Sequence, residues 1–88
     1  MKIGQIVKER YEILEILGEG GMAFVYKARD MQLERFVAIK TLKPNYVNQE
    51  TFVDRFKREA KTAANLNHPN IVQIFDWGIE EEPYFVME

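Results

Sequence analysis

The sequence predicts an α+β fold: a five-stranded antiparallel sheet with one long helix packed on it. Three observations lead there. Short apolar, β-branched and aromatic runs, bounded by glycine, proline or charged turns, recur at residues 10–18, 24–30, 35–43, 71–79 and 84–87. A single stretch, residues 49–66, switches to helical period. The resulting order is three strands, a helix and two strands with short links, which favours an antiparallel meander with the helix on one side.

Each element has a local cause. Ile13, Leu14, Ile16 and Leu17 make a run that stops at Gly18, too short for a helix. Gly18-Glu19-Gly20-Gly21 is a flexible turn, and Phe24-Val25-Tyr26 resumes an extended segment reaching about Asp30. After a connection at residues 31–34, Phe36-Val37-Ala38-Ile39-Lys40-Thr41-Leu42 forms the third strand. Pro44 ends it, because proline offers no amide to a sheet ladder. The helix carries Phe52, Phe56, Ala60, Ala63 and Leu66 at helical spacing. Asn67-His68-Pro69-Asn70 breaks it, since the residue before proline is driven away from helical angles. Val72, Ile74, Phe75 and Trp77 mark the fourth strand, and Tyr84-Phe85-Val86-Met87 the fifth. Phe52, Phe56 and Trp77 are expected in the core.

Composition narrows the function classes. The chain has 88 residues, 47% of them hydrophobic, and a net charge of -2. This is a globular composition sufficient for one small domain. No apolar window is long enough to span a membrane, and the start lacks the apolar stretch of a secretory signal. The absence of cysteine excludes disulfides, thiolate metal sites and cysteine nucleophiles, and it fits a reducing compartment. A pI near 5.5 argues against broad nucleic-acid binding through phosphates. Residues 1–44 hold eight basic and six acidic side chains, while residues 45–88 hold four and eight. Much of that acidic excess is Glu80-Glu81-Glu82, read as a solvated turn. The chain stops directly after an apolar strand, so a longer polypeptide is expected.

Three features could carry chemistry. The first is Gly18-Glu19-Gly20-Gly21-Met22-Ala23. Such a turn lets backbone approach a ligand and present amides to an anion, although a plain glycine-rich hairpin would read the same way. Gly18, Gly20 and Ala23 formally match a dinucleotide-binding fingerprint, but that motif must open a helix and Phe24-Val25-Tyr26 is extended. No Gly-Lys-Ser or Gly-Lys-Thr is present either, which leaves a glycine flap between two strands. The second feature is Lys40, which strand alternation places on one face with Ala38, opposite Val37 and Ile39. Alone it could be an ordinary strand-end lysine. The third is Glu59. At about 100° per residue it falls near about -20° from Phe52, inside the apolar stripe. A carboxylate there requires a cation, and Lys40 on the sheet beneath is the natural one. The competing reading is a surface pair with Arg55, one turn earlier.

These residues resemble a known family. Leu17-Gly18-Glu19-Gly20-Gly21-Met22-Ala23-Phe24-Val25, Val37-Ala38-Ile39-Lys40, Arg55-Phe56-Lys57-Arg58-Glu59-Ala60, His68-Pro69-Asn70-Ile71-Val72 and Tyr84-Phe85-Val86-Met87-Glu88 occur in order. Together they resemble the N-terminal lobe of a protein kinase of the bacterial, eukaryotic-like serine/threonine type. The resemblance covers residues 11 to 88, so the domain expected is an incomplete catalytic domain over residues 1–88. It implies that the flap with Gly18, Gly20 and Gly21 covers ATP phosphates, with Ala23 where a third glycine is usual. It implies that Lys40 pairs with the α- and β-phosphates and that Glu59 orients it. Leu17, Val25 and Ala38 would wall the adenine, Met87 would back it, and the Glu88 carbonyl would begin the hinge. His68 is read as structural. Mg2+ ligands and the catalytic base are expected beyond residue 88, because Asp30, Asp54 and Asp76 sit in no such motif.

The resemblance further implies protein substrates for the full-length kinase, a cytoplasmic kinase domain, and room for a membrane anchor further along. Two copies can pair through the back of such a lobe. A pseudokinase or regulatory module is the alternative reading. The 88-residue chain alone is expected to transfer no phosphate, and its Lys40–Glu59 contact is expected to be loose without the second lobe.

Overall fold

The computed structural model describes residues 1–65 and 74–87, with the side chains of 63–65 and 75 outside the description. The calls on Leu66, on the loop with His68, on residues 71–73 and on Glu88 fall outside these residues. Within them, β1 (Ile6–Val7), β2 (Tyr11–Glu19), β3 (Ala23–Asp30), β4 (Arg35–Leu42), β5 (Ile74–Ile79) and β6 (Pro83–Met87) form one antiparallel sheet. Its order is β1-β2-β3-β4-β6-β5. Helix α1 (Glu50–Asn65) follows a short 3-10 turn at Pro44–Tyr46.

The fold class is the one expected, with one strand more. Ile6–Val7 pairs with Tyr11 and Glu12 through a tight turn in which Lys8 and Glu9 both have positive φ, 56° and 54°. Neither residue favours that conformation, so the sequence gives no hairpin signal. Tertiary bonds hold the turn instead. The Lys8 amide donates to Glu80 Oε1 at 3.0 Å, and its ammonium donates to Asp76 Oδ1 at 2.6 Å and to the Trp77 carbonyl at 3.1 Å. The Tyr11 hydroxyl donates to Asp76 Oδ2 at 2.7 Å. Burial alone would raise the Asp76 pKa, but the Lys8 and Tyr11 bonds outweigh it and hold the carboxyl below its ordinary value. The first hairpin is thereby clasped to β5, and the sheet curls.

Two bulges in β2, around Leu14 and Leu17, strengthen that curl. Strand alternation then separates two cores. On the inside of the curl Val7, Tyr11, Ile13, Tyr26, Ala28, Val37, Ile39, Tyr84 and Val86 pack together. On the other face Leu42, Ile74 and Phe85 receive Phe56 of α1, whose ring centroid lies 4.9 Å from that of Phe85. The helix is seated chiefly by this pair of aromatics.

Two core expectations and one surface expectation need correction. Phe56 is buried, but Phe52 is half-buried at the helix edge against Tyr46, with centroids 4.8 Å apart. Trp77 is 64% exposed: it stands on the edge strand β5, where it lines an open groove beside Phe56 and Ala60 of α1 instead of packing into the core. The acidic turn is only partly solvated: Glu80 and Glu81 are exposed, whereas Glu82 is buried and pairs with the Met1 ammonium.

Candidate functional site

Lys40 occupies the face that alternation assigned to it. Val37 and Ile39 are buried within the curl, while Ala38 and Lys40 lie half-buried on the helix side. Cross-strand register then fixes its neighbours. Val25 is opposite Lys40 on one side and Phe85 on the other, Gly18 is opposite Val25, and Ala38 is opposite Met87. Directly opposed residues share a face. Gly18, Val25, Ala38, Lys40 and Met87 therefore belong to one continuous surface that crosses β2, β3, β4 and β6.

Glu59 reaches that surface from α1. Lys40 Nζ donates to Glu59 Oε1 at 2.7 Å. The contact expected to be loose is closed. The environment differs from the expectation too: Glu59 is 54% exposed. The buried stripe of α1 centres on Phe56, with Val53 and Ala60 flanking it, so Glu59 stands at its rim. Half in water, the carboxylate carries little of the desolvation cost that a buried one would. Arg55 lies over the Phe52 ring at 5.9 Å. Lys40 Nζ also sits 5.8 Å from the Phe85 ring centroid. Phe85 was not singled out from the sequence, although its place two residues before Met87 on one strand would have put it on the site face.

The flap is the β2–β3 hairpin. The Gly20 amide donates to the Ala23 carbonyl at 2.9 Å, closing the turn. Gly21 lies exposed at the tip, and Ala23 opens β3 opposite Leu42. None of Gly18, Gly20 and Gly21 has a positive φ. A Cβ would meet nothing within 4 Å at Gly18 or Gly21, and only the Ala23 carbonyl at 3.9 Å at Gly20. The chain itself thus places no steric demand for glycine there. Leu17 is an unpaired bulge residue and 55% exposed, so as it stands it is a rim of the surface rather than a packed wall.

Lys40 and Glu59 give this surface one cation and one carboxylate, and two of the chain's aspartates are committed elsewhere. Asp30 is buried in a bidentate pair with Arg10, both bonds at 2.8 Å. That guanidinium takes its carboxyl down to about 2. Asp76 is engaged in the Lys8 clasp. Among the described residues no three histidine or carboxylate side chains gather to hold a metal ion. A groove of about 420 Å³ between α1 and the outer ends of β5 and β6, lined by Phe56, Ala60, Trp77, Ile79 and Tyr84, contains none of the sequence-predicted site residues.

A family model described as protein kinase domain matches residues 11–88. The chain is 53% identical over 87 residues to a probable serine/threonine-protein kinase of Clostridium perfringens, covering 98% of this chain and 13% of that protein. It is 49% identical to the serine/threonine-protein kinase PrkC of Bacillus subtilis, over 99% of this chain and 13% of that protein. Similarity to PknB of Mycobacterium tuberculosis H37Rv is 48% over 93% of this chain and 14% of that one. Among solved structures, the PpkA-294 apo form superposes with a TM-score of 0.87 at 27% identity, over 100% of this chain and 38% of that chain. The PknI kinase domain of Mycobacterium tuberculosis does so at 0.77 and 28%, over 100% and 36%. The chain thus spans a small fraction of the curated relatives' length.

Proposed function

Because the chain belongs to the protein kinase family, whose domain model it matches over residues 11–88, we propose that it is the ATP-binding lobe of a serine/threonine protein kinase. In this reading it holds ATP for transfer of the γ-phosphate to protein Ser or Thr hydroxyls. Residues beyond 88 complete catalysis. The coverage of little more than a third of the kinase structures supports assigning residues 1–88 to an incomplete catalytic domain.

The observation that carries the proposal is the Lys40–Glu59 contact beside a flap whose glycines the chain itself does not require. Open glycine backbone leaves room for phosphate oxygens to approach closely. The Lys40 ammonium neutralises α- and β-phosphate charge, and Glu59 fixes where that ammonium points. In this reading Val25 and Ala38 wall the adenine, Leu17 closes over it from the rim once the nucleotide is bound, Met87 backs it, and the Glu88 carbonyl accepts from the adenine amino group. Ala23 in place of a third glycine stiffens the flap tip. The family uses ATP with Mg2+. The described residues offer no magnesium cluster, and we assign its ligands to the rest of the polypeptide. In this reading the lobe works in the cytoplasm, where ATP is supplied, with room for a membrane anchor further along the polypeptide.

The test is phosphotransfer by the full-length protein with radiolabelled ATP and a general acceptor protein. Lys40→Met should abolish labelling with the circular dichroism spectrum unchanged; undiminished labelling contradicts the role. A second reading, self-association through the lobe, is supported by the exposed Leu33 and Phe36 beside the β3–β4 turn. Sedimentation at micromolar concentration checks it, and a strictly monomeric species counts against it.

A further inference from the structure

Behind the flap lies an ion pair that adds to its backbone bonds with the end of β4. Lys43 Nζ donates to Glu19 Oε1 at 2.6 Å. Glu19 is opposite Phe24, and Phe24 is opposite Thr41. Thr41 shares strand parity with the buried Val37 and Ile39, so this row lies on the face opposite Lys40. Lys43 keeps the same parity because its backbone is still extended, with φ -62° and ψ 145°. Its ammonium also lies 5.1 Å from the Phe24 ring centroid, and its amide donates to the Met22 carbonyl at 2.7 Å. Lys43 is only 16% exposed, whereas Glu19 is 58% exposed. Glu19 is the sole charged residue from Ile16 to Phe24.

We propose that Glu19 and Lys43 form a latch that positions the glycine flap over the nucleotide from the side that the nucleotide never touches. The proposal rests on the kinase reading above. Both are positioning residues. Gly20 and Gly21 at the tip have no side chains of their own to anchor them, so a charge tether at the base limits how far the hairpin swings from β4. A flap held near its closed pose costs less to order when ATP binds. Loss of the tether then weakens ATP capture more than the chemical step, which is read as a rise in KM with little change in kcat.

The experiment uses the full-length kinase at low ionic strength. Glu19→Gln and Lys43→Met should each raise KM for ATP about two- to fivefold, the range that a partly exposed ion pair supports. For both variants kcat should stay within about twofold of wild type. The reversed pair, Glu19→Lys with Lys43→Glu, should restore KM. The wild-type advantage should fade as salt rises towards about 1 M, because Glu19 is in solvent. An unmoved KM in the single variants, or a reversed pair that fails to restore it, overturns the latch. Lys40→Met in the same assay separates the two levels. If wild type transfers phosphate and Lys40→Met does not, an unmoved KM sinks the latch alone. If Lys40→Met transfers as well as wild type, the kinase reading fails and the latch with it.

Discussion

Glu59 shows how far one residue can be read. Its helical angle placed it inside the apolar stripe, and the need for a cation there pointed to Lys40, which it meets at 2.7 Å from the rim of that stripe instead. Its exposure was not legible, because a helical wheel gives direction but not how far a sheet extends beneath it. A pair half in water adds at most about 1 kcal/mol to stability. Glu59→Gln in the full-length protein should therefore leave the melting temperature almost unmoved, while misplacement of Lys40 lowers phosphotransfer by about 10- to 100-fold. Melting and initial rates measured on one preparation check both halves.

Asp30 behaves in the opposite way. It is fully buried, accepts both Arg10 bonds, and also accepts from the Gln32 and Leu33 amides at 3.0 and 3.3 Å. Its carboxyl is down to about 2 in the folded chain, from an ordinary 3.8. The folded state favours the ionised form. Its stabilisation is present in full above the ordinary value and is lost as pH falls towards about 2. Urea midpoints should drop across that window, and Asp30→Asn should flatten the drop while lowering the midpoint at neutral pH.

At the scale of elements, alternation and helical period located the strands and α1 to within a few residues at the described ends. They failed where tertiary bonds override local preference. The β1–β2 turn uses Lys8 and Glu9 at positive φ and is held by Asp76 and Glu80, distant in sequence. Bulges at Leu14 and Leu17 likewise have no sequence mark, so the packing of Leu17 could not be foreseen. Gly78 in β5 contrasts with the flap glycines. A Cβ there would come within 2.5 Å of the Tyr84 hydroxyl and 2.8 Å of its ring. Tyr84 is buried, so its ring would have to shift to admit the added methyl. Gly78→Ala should destabilise by about 1–3 kcal/mol. Combining it with Tyr84→Leu should cost less than the sum of the two changes, which a double-mutant cycle in urea measures.

At the scale of the molecule, the five motifs in order gave the family before any geometry, and the curled sheet explains why they converge. The flap, Lys40 and Met87 share one face of the curl, while α1 rides on Phe85 and brings Glu59 to its rim. Among the described residues no three histidine or carboxylate side chains gather there to hold a metal ion. The chain covers 38% and 36% of two solved kinase chains, so under the proposed reading it should transfer no phosphate to a general acceptor, as counted by retained label on filters, whereas the full-length protein should.

The most direct measurement of the central claim asks which lysine lies against the phosphates. An acyl-phosphate derivative of ATP, incubated with the full-length protein, acylates an amine held beside the phosphate chain, and peptide mass spectrometry identifies the site. The account predicts modification at Lys40, suppressed by excess ATP. Modification spread over surface lysines such as Lys57 and Lys61, with Lys40 unprotected by ATP, would contradict it.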